Sequence, residues 1–196
     1  EIVRMGNMAR HNVEVGMQAL EDKDENKIKY VLEHEPVIDA LEEDITRYLT
    51  KMSEKEMGAE LSAMHTRLLH ACTDIERIGD HGEALAKDAR RMFEDDVKFS
   101  EEAKTELRAL SELVMQASGK AMEALANNDK VLAQEAWDIC RQVKKAQKEI
   151  RKNHIVRLNE KRCDPVAGFM MMEILINLKR VSDHSKNISQ IVLGIF

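Results

Sequence analysis

The sequence predicts an all-α protein, with six long helices forming two tandem antiparallel three-helix bundles related by an internal repeat. Three observations predict it. Among 196 residues there are only 2 Pro and 8 Gly, whereas Ala, Leu, Glu, Lys and Met abound; these types lose little freedom in a helix. Aromatic residues make up 4%, and β-branched residues and turn signals are too sparse for a β-rich fold. Finally, two stretches 103 residues apart resemble each other: Asp74-Ile75-Glu76-Arg77-Ile78-Gly79-Asp80-His81 and Asn177-Leu178-Lys179-Arg180-Val181-Ser182-Asp183-His184.

Each helix has its own signal. The first opens the chain, near residues 1–21. Asp24 supplies a cap for the second, 24–52, and Ser53 with Glu56 forms a capping box for the third, 55–94. Ser100 ahead of Glu101 and Glu102 starts the fourth, 101–127, and Asn128 or Asp129 caps the fifth, 130–161. Asp164-Pro165 places a capping side chain before Pro at the first helical position and opens the sixth, 165–195. The repeat runs through all of them. Met17-Gln18-Ala19-Leu20 matches Met122-Glu123-Ala124-Leu125 at an offset of 105. The same offset sets Val31, Ile38, Leu41 and Ile45 on Ala136, Val143, Ala146 and Ile150, all apolar at helical spacing. The offset falls to 103 at the third helix, so one connection is two residues shorter. The expected division is one repeat in residues 1–97 and one in 98–196.

Charge narrows the function. Thirty basic residues against 36 acidic ones give a net charge of −6, which argues against nucleic acid as a partner. A cationic cluster at Lys144, Lys145, Lys148, Arg151 and Lys152 reads first as a solvated helix face, and second as a contact for anionic headgroups or a partner. The three cysteines, Cys72, Cys140 and Cys163, form no CxxC and fit a reducing compartment as free thiols or small apolar residues. No apolar run is long enough to span a bilayer and no signal peptide is present, so these residues read as soluble. The chain begins at Glu1, without Met, inside a helical pattern; this reads as a processed end or a domain of something longer.

The chemistry lies in carboxylates. On the second helix the apolar stripe runs Ile28, Val31, Leu32, Ile38, Leu41, Ile45, and Glu35 stands where an inward residue is due. Asp39 lies one turn on, and the third helix repeats the spacing at Glu76 and Asp80, with Glu83 extending the face. Where the two helices are neighbours, four carboxylates converge. They then need protons, Arg or Lys partners, or bridging cations. Hard oxygen ligands of this kind hold multivalent ions, and His34 and His81 are candidate nitrogen ligands. The plain alternative is a solvated acidic face, with Glu76 paired to Arg77 and Asp80 facing water. The second copy differs: Glu35 and Asp39 correspond to Cys140 and Lys144, and Glu76 and Asp80 to Lys179 and Asp183. A lysine neutralises Asp183 much as a metal would, so this half is expected to be empty or to hold a single weak ion through Asp183, with Asp138, His184 and Asn187 in support. There is no ExxH, HExxH, glycine-rich phosphate loop or GxSxG, so no enzyme is expected; a metal-dependent hydrolase built on the four carboxylates is the remaining catalytic reading. The run Met170-Met171-Met172 reads as core.

The segments Asp74 to Ala86 and Asn177 to Ile191 resemble the signature of the PhoU family of phosphate-uptake regulators, typically ERIGDHAxNIA in each repeat. The resemblance covers nearly the whole chain. His154-Ile155-Val156-Arg157-Leu158, Cys163 and Asn177-Leu178-Lys179-Arg180 are closer still to PhoU-like domains at the cytoplasmic C-terminus of sodium/phosphate cotransporter proteins. The resemblance implies regulation of phosphate uptake, no established catalysis, and an iron or zinc cluster bound by paired E/DxxxD motifs, here Glu35, Asp39, Glu76 and Asp80. The departures are Ala84 where the motif has Asn and Lys179 where it has Glu. The implied partner is a membrane phosphate transporter. It is met in cis, as a fused domain, or in trans, as a stand-alone adaptor of a phosphate ABC transporter and sensor kinase. Either way the chain is expected at the cytoplasmic face of the cell membrane, with a homodimer as a further expected assembly.

Overall fold

The computed structural model describes residues 1–53 and 58–195. It contains α1 (Ile2–Asp22), α2 (Glu25–Ser53), α3 (Ala59–Glu94), α4 (Glu101–Asn127), α5 (Lys130–Asn159) and α6 (Pro165–Leu193), and no strand among the described residues. The caps explain most boundaries. Asp24 accepts from Asn26 N–H, Ser100 Oγ from Ala103 N–H, Asp129 from the Val131 and Leu132 amides, and Asp164 from those of Val166 and Ala167. Asn128 does a different job: in the left-handed region at φ 51°, it ends α4.

One boundary is corrected. Ser53 is the last described residue of α2, its hydroxyl donating to the Thr50 carbonyl, and the N-cap of α3 is Gly58 rather than Ser53; Glu56 lies outside the described residues. The helix that follows begins at Ala59. A hydroxyl one turn from a helix end can bond back into that helix as readily as forward into the next, and the back-bond wins here.

α1, α3, α4 and α6 form a central layer; α2 packs on α1 and α3, and α5 on α4 and α6. Within each half, consecutive helices are antiparallel, so the first and third run parallel. Gly6 of α1 sits near Ile75 of α3, and Gly16 near Gly82 and Leu85. The halves meet along α1–α4 and α3–α6. Their apolar stripes merge into one core to which all six helices contribute, with Met5, Ile38, Ile75, Leu110, Val143 and Met170 among its buried residues. Met170 and Met171 are core, as their pattern predicts. Cys72 and Cys140 are buried free thiols, and burial pushes Cys72 up to about 12. One buried ion pair pins the second repeat: Arg157 of α5 donates to Glu106 of α4 at 2.6 Å, and Asn153 donates to the other oxygen of that carboxylate.

α1 and α3 approach backbone to backbone. A Cβ at Gly82 would lie 2.9 Å from Val13 N and 3.0 Å from the Asn12 carbonyl carbon. Backbone cannot move aside as a side-chain tip can. Gly119 of α4 is the contrast, since a Cβ there meets only the Arg10 guanidinium at 3.6 Å or more. We therefore expect Gly82→Ala to destabilise by about 1–3 kcal/mol despite the better helix former. Gly119→Ala should be neutral or stabilise by up to about 1 kcal/mol. Urea unfolding midpoints of the two variants should move in opposite directions, or only the Gly82 variant should move.

Candidate functional site

Glu35, Asp39 and Asp80 come together in the groove between α2 and α3. Each offers a carboxylate oxygen within 4.8 Å of the others. Helical spacing does this: Glu35 and Asp39 are one turn apart on α2, and Asp80 faces them from α3. Pro36 follows Glu35 inside α2 and lacks the N–H that would reach the Leu32 carbonyl. Glu35 and Asp80 are half-buried and Asp39 is exposed, so the trio opens to solvent on one side.

Crowding shows in the electrostatics. Burial, then the hydrogen bond and charge of Asp39, with Glu83 and Asp80 adding to it, push the Glu35 carboxyl up to about 7. Burial and then Asp80 also raise Glu76, with Arg77 pulling the other way. Two cations answer this strip, Arg77 at 3.1 Å from Asp80 and 3.5 Å from Glu76, and Lys87 at 2.6 Å from Glu83, and both are largely exposed. Glu76 therefore stands one turn along from the trio rather than in it. Glu42 adds to the raised Glu76 and was not singled out by sequence spacing, although it lies seven residues after Glu35 on the same face.

Neither histidine joins the trio. His34 turns Nδ1 to the Tyr30 carbonyl at 2.8 Å and stacks on the Tyr30 ring. His81 turns away to α6, where Nδ1 lies 3.1 Å from Asn177 Oδ1. In the second repeat, Lys179 pairs with Asp183, and Cys140 Sγ donates to the Ser182 carbonyl. Asp138 is engaged by Arg141 and Gln134. His184 and Asn187 both contact Asp74 of α3, at 2.8 and 2.9 Å. The side chains considered as company for Asp183 are thus committed elsewhere.

Those last contacts form a second polar site, the α3–α6 seam. Asp74 and His81 of the first motif are the counterparts of Asn177 and His184 of the second. Asp74 meets His184, and His81 meets Asn177, so the two bonds are reciprocal across the repeat. The His81 and His184 rings stack at 5.7 Å between them. Asn177 also donates to Asp88, whose carboxyl burial and nearby Glu173 push up to about 6.

The family model described as "PhoU domain" matches residues 2–89 and 107–192. The chain belongs to the PhoU family. A "Phosphate-specific transport system accessory protein PhoU homolog" of Xylella fastidiosa is 25% identical over 194 residues, spanning 98% of this chain and 80% of that protein. A protein of the same name from Clostridium acetobutylicum is 30% identical over 95 residues; that match covers 47% of this chain and 43% of the relative, less than half of its length. The crystal structure of PhoU from Pseudomonas aeruginosa superposes with a TM-score of 0.92 at 22% identity, covering 99% of this chain and 92% of that one. The PhoU fold thus presents its repeated Asp-His dipeptide in two ways: Asp80 faces the groove, and His81 faces the seam.

A carboxyl whose pKa is higher folded than unfolded takes up protons on folding, so its contribution to stability falls as pH rises between the two values. For Glu35 that window is about 4.5 to about 7. In chelator, Glu35→Gln should gain stability relative to wild type as pH rises through this window. Melting curves of both proteins across it test the point; a difference that stays constant with pH would mean Glu35 is an ordinary solvated acid.

Proposed function

We propose that this chain is a regulatory accessory protein of phosphate uptake that acts in trans on a membrane phosphate transporter. The observation that carries it is the near full-length match to proteins named as accessory to a phosphate-specific transport system. Those names support the stand-alone adaptor over a domain fused to a sodium-dependent transporter, the reading suggested by the motifs around His154, Cys163 and Asn177. No helix among the described residues is long and apolar enough to cross a membrane. The inner face of the cell membrane, reached through the transporter, is where such an adaptor would work. A homodimer is compatible with this role.

The acidic groove fits a multivalent cation. The Glu35, Asp39 and Asp80 carboxylate oxygens lie within 4.8 Å of one another, and small side-chain adjustments would close them onto an ion bound at about 2.0–2.2 Å. An all-carboxylate set suits a hard ion such as ferric iron, and zinc also accepts such ligands. Bound there, iron or zinc would supply charge compensation between α2 and α3. Glu35 and Asp39 would hold it from α2 and Asp80 from α3, while Glu76 and Arg77 would tune the adjoining charge. The second repeat would need no ion, because Lys179 already pairs with Asp183. We read the site as structural and regulatory rather than catalytic, since among the described residues no nucleophile with an adjacent base lies beside the carboxylates.

The test is elemental analysis of protein purified without a His tag. We expect iron or zinc in wild type, and its loss in a Glu35→Gln, Asp80→Asn double variant that keeps its helical spectrum. Wild type should melt higher with metal than after chelation, because an ion bound only to the native state stabilises it. Cells carrying the double variant should misregulate phosphate uptake. Unchanged metal content in the variant would reduce the trio to a solvated face; unchanged uptake in a strain lacking the whole chain would remove the phosphate role.

A further inference from the structure

The two repeats share a fold but not a charge. Residues 1–97 carry 13 Lys or Arg against 23 Asp or Glu; residues 98–196 carry 17 against 13. The first half is therefore at −10 and the second at +4. The surplus is concentrated. On α5, Lys144, Lys145, Lys148, Arg151 and Lys152 recur at helical spacing on one exposed face. Lys152 pairs with Glu149, whereas among the described residues Lys144, Lys145, Lys148 and Arg151 are in no ion pair. Unpaired like charges one turn apart repel and cost helix stability.

The first repeat is the internal control. The same positions of α2 read Asp39, Ala40, Glu43, Thr46 and Arg47. In the groove beside them, Glu76 and Glu83 of α3 become Lys179 and Lys186 of α6. An acidic groove has become a basic one at the equivalent place.

Apolar side chains are exposed on the same hairpin. Ile155 and Val156 continue the basic face of α5 at 48% and 43% exposure, and Phe169 and Ile176 of α6 are 56% and 45% exposed. Their counterparts in the first repeat are Thr50, Lys51, Thr66 and Thr73. The α2–α3 hairpin also exposes apolar side chains, Tyr48 and Met64 among them, but beside acidic residues; only on α5–α6 do exposed apolar side chains accompany a run of unpaired cations. A soluble anion would use the lysines and gain nothing from Phe169 or Ile176. An anionic bilayer uses both: headgroups attract the cations, and apolar side chains enter the headgroup–acyl boundary.

We propose that the α5–α6 hairpin docks directly on an anionic membrane surface. The acidic first repeat is turned away from the bilayer, beyond roughly a Debye length of about 10 Å. This contact is additional to any made through a transporter and does not depend on the metal reading, because the acidic groove lies in the other half.

Co-sedimentation of the 196-residue chain with vesicles tests it. The vesicles would be phosphatidylcholine alone, or phosphatidylcholine with phosphatidylglycerol at roughly 3:1, a composition that gives a negative surface. Wild type should partition onto the mixed vesicles, not the neutral ones, and release as salt rises. Lys144→Gln, Lys145→Gln and Lys148→Gln together should weaken partition about hundredfold, as near-surface cations each contribute about fivefold. Phe169→Ala with Ile176→Ala should weaken it while leaving its salt dependence. Helical spectra should be unchanged, since every substituted side chain is exposed, and Lys148→Gln alone provides a milder variant. Chelator should leave partition unchanged, which separates this result from that of the metal test. Wild type that ignores anionic vesicles would overturn the proposal, as would a triple variant that binds like wild type. So would wild type that self-associates through these lysines but stays off vesicles, which would make the face an interface between copies.

Discussion

The antiparallel contact of α3 with α6 is the constraint on which the rest of the molecule depends. Each helix presents the same polar register to the other. A carboxylate or amide of one motif therefore meets the histidine of the other: Asp74 with His184, and Asn177 with His81. Asp74 is nearly buried, and its carboxylate accepts from Asn187 as well, so its polar demand is met inside the seam. This fixes the rotation of α3 about its own axis. With Asp74 and His81 turned to α6, Ile75 and Ile78 fall into the core and Gly79 beneath Ile38. The remaining face, carrying Glu76, Asp80 and Glu83, is left to look at α2. The acidic groove is the far side of the seam.

The same geometry leaves two equivalent outer grooves, and the repeats resolve them in opposite ways. Between α2 and α3, burial and then the neighbouring carboxylates, Asp39 foremost, push the Glu35 carboxyl up to about 7. Between α5 and α6, Lys179 answers Asp183 directly, and Cys140 replaces Glu35 with a thiol that bonds to a backbone carbonyl. The second solution is self-sufficient. The first leaves Glu35 with a raised pKa, and its cations, Arg77 beside Glu76 and Asp80 and Lys87 beside Glu83, are largely exposed.

Much of this was legible in the chain. Apolar periodicity and side-chain caps locate the helices, because Ser100, Asp129 and Asp164 act on amides two or three residues away and need no tertiary information. The repeat offset indicates the pairing of halves. The Glu35, Asp39 and Asp80 convergence follows from i,i+4 spacing once α2 and α3 are neighbours. Sequence spacing did not tell which neighbour His34 and His81 would choose. A helical position has a face, but whether it looks at one neighbour or the next depends on rotation about the axis. For α3 that rotation is set by α6, a hundred residues away. The clue was present in the repeated Asp74/Asn177 and His81/His184 positions, whose polar pairing is mutual. Ser53 failed for a local reason, since its hydroxyl had a carbonyl of its own helix within reach.

Reciprocity also explains how the halves could diverge so far in charge. A change in the seam disturbs contacts that hold the halves together; Asp74 alone bonds both His184 and Asn187 of α6. Outer positions touch nothing across the axis. Asp39 and Lys144, Glu76 and Lys179, and Glu83 and Lys186 lie on the outer grooves and take no part in the hydrogen bonds of the seam. An unpaired buried ion would have been costly in the seam, whereas half-exposed carboxylates and lysines at the flanks remain solvated. The fold therefore keeps a hydrogen-bonded centre, while its two edges carry opposite charge, acidic between α2 and α3 and basic along α5.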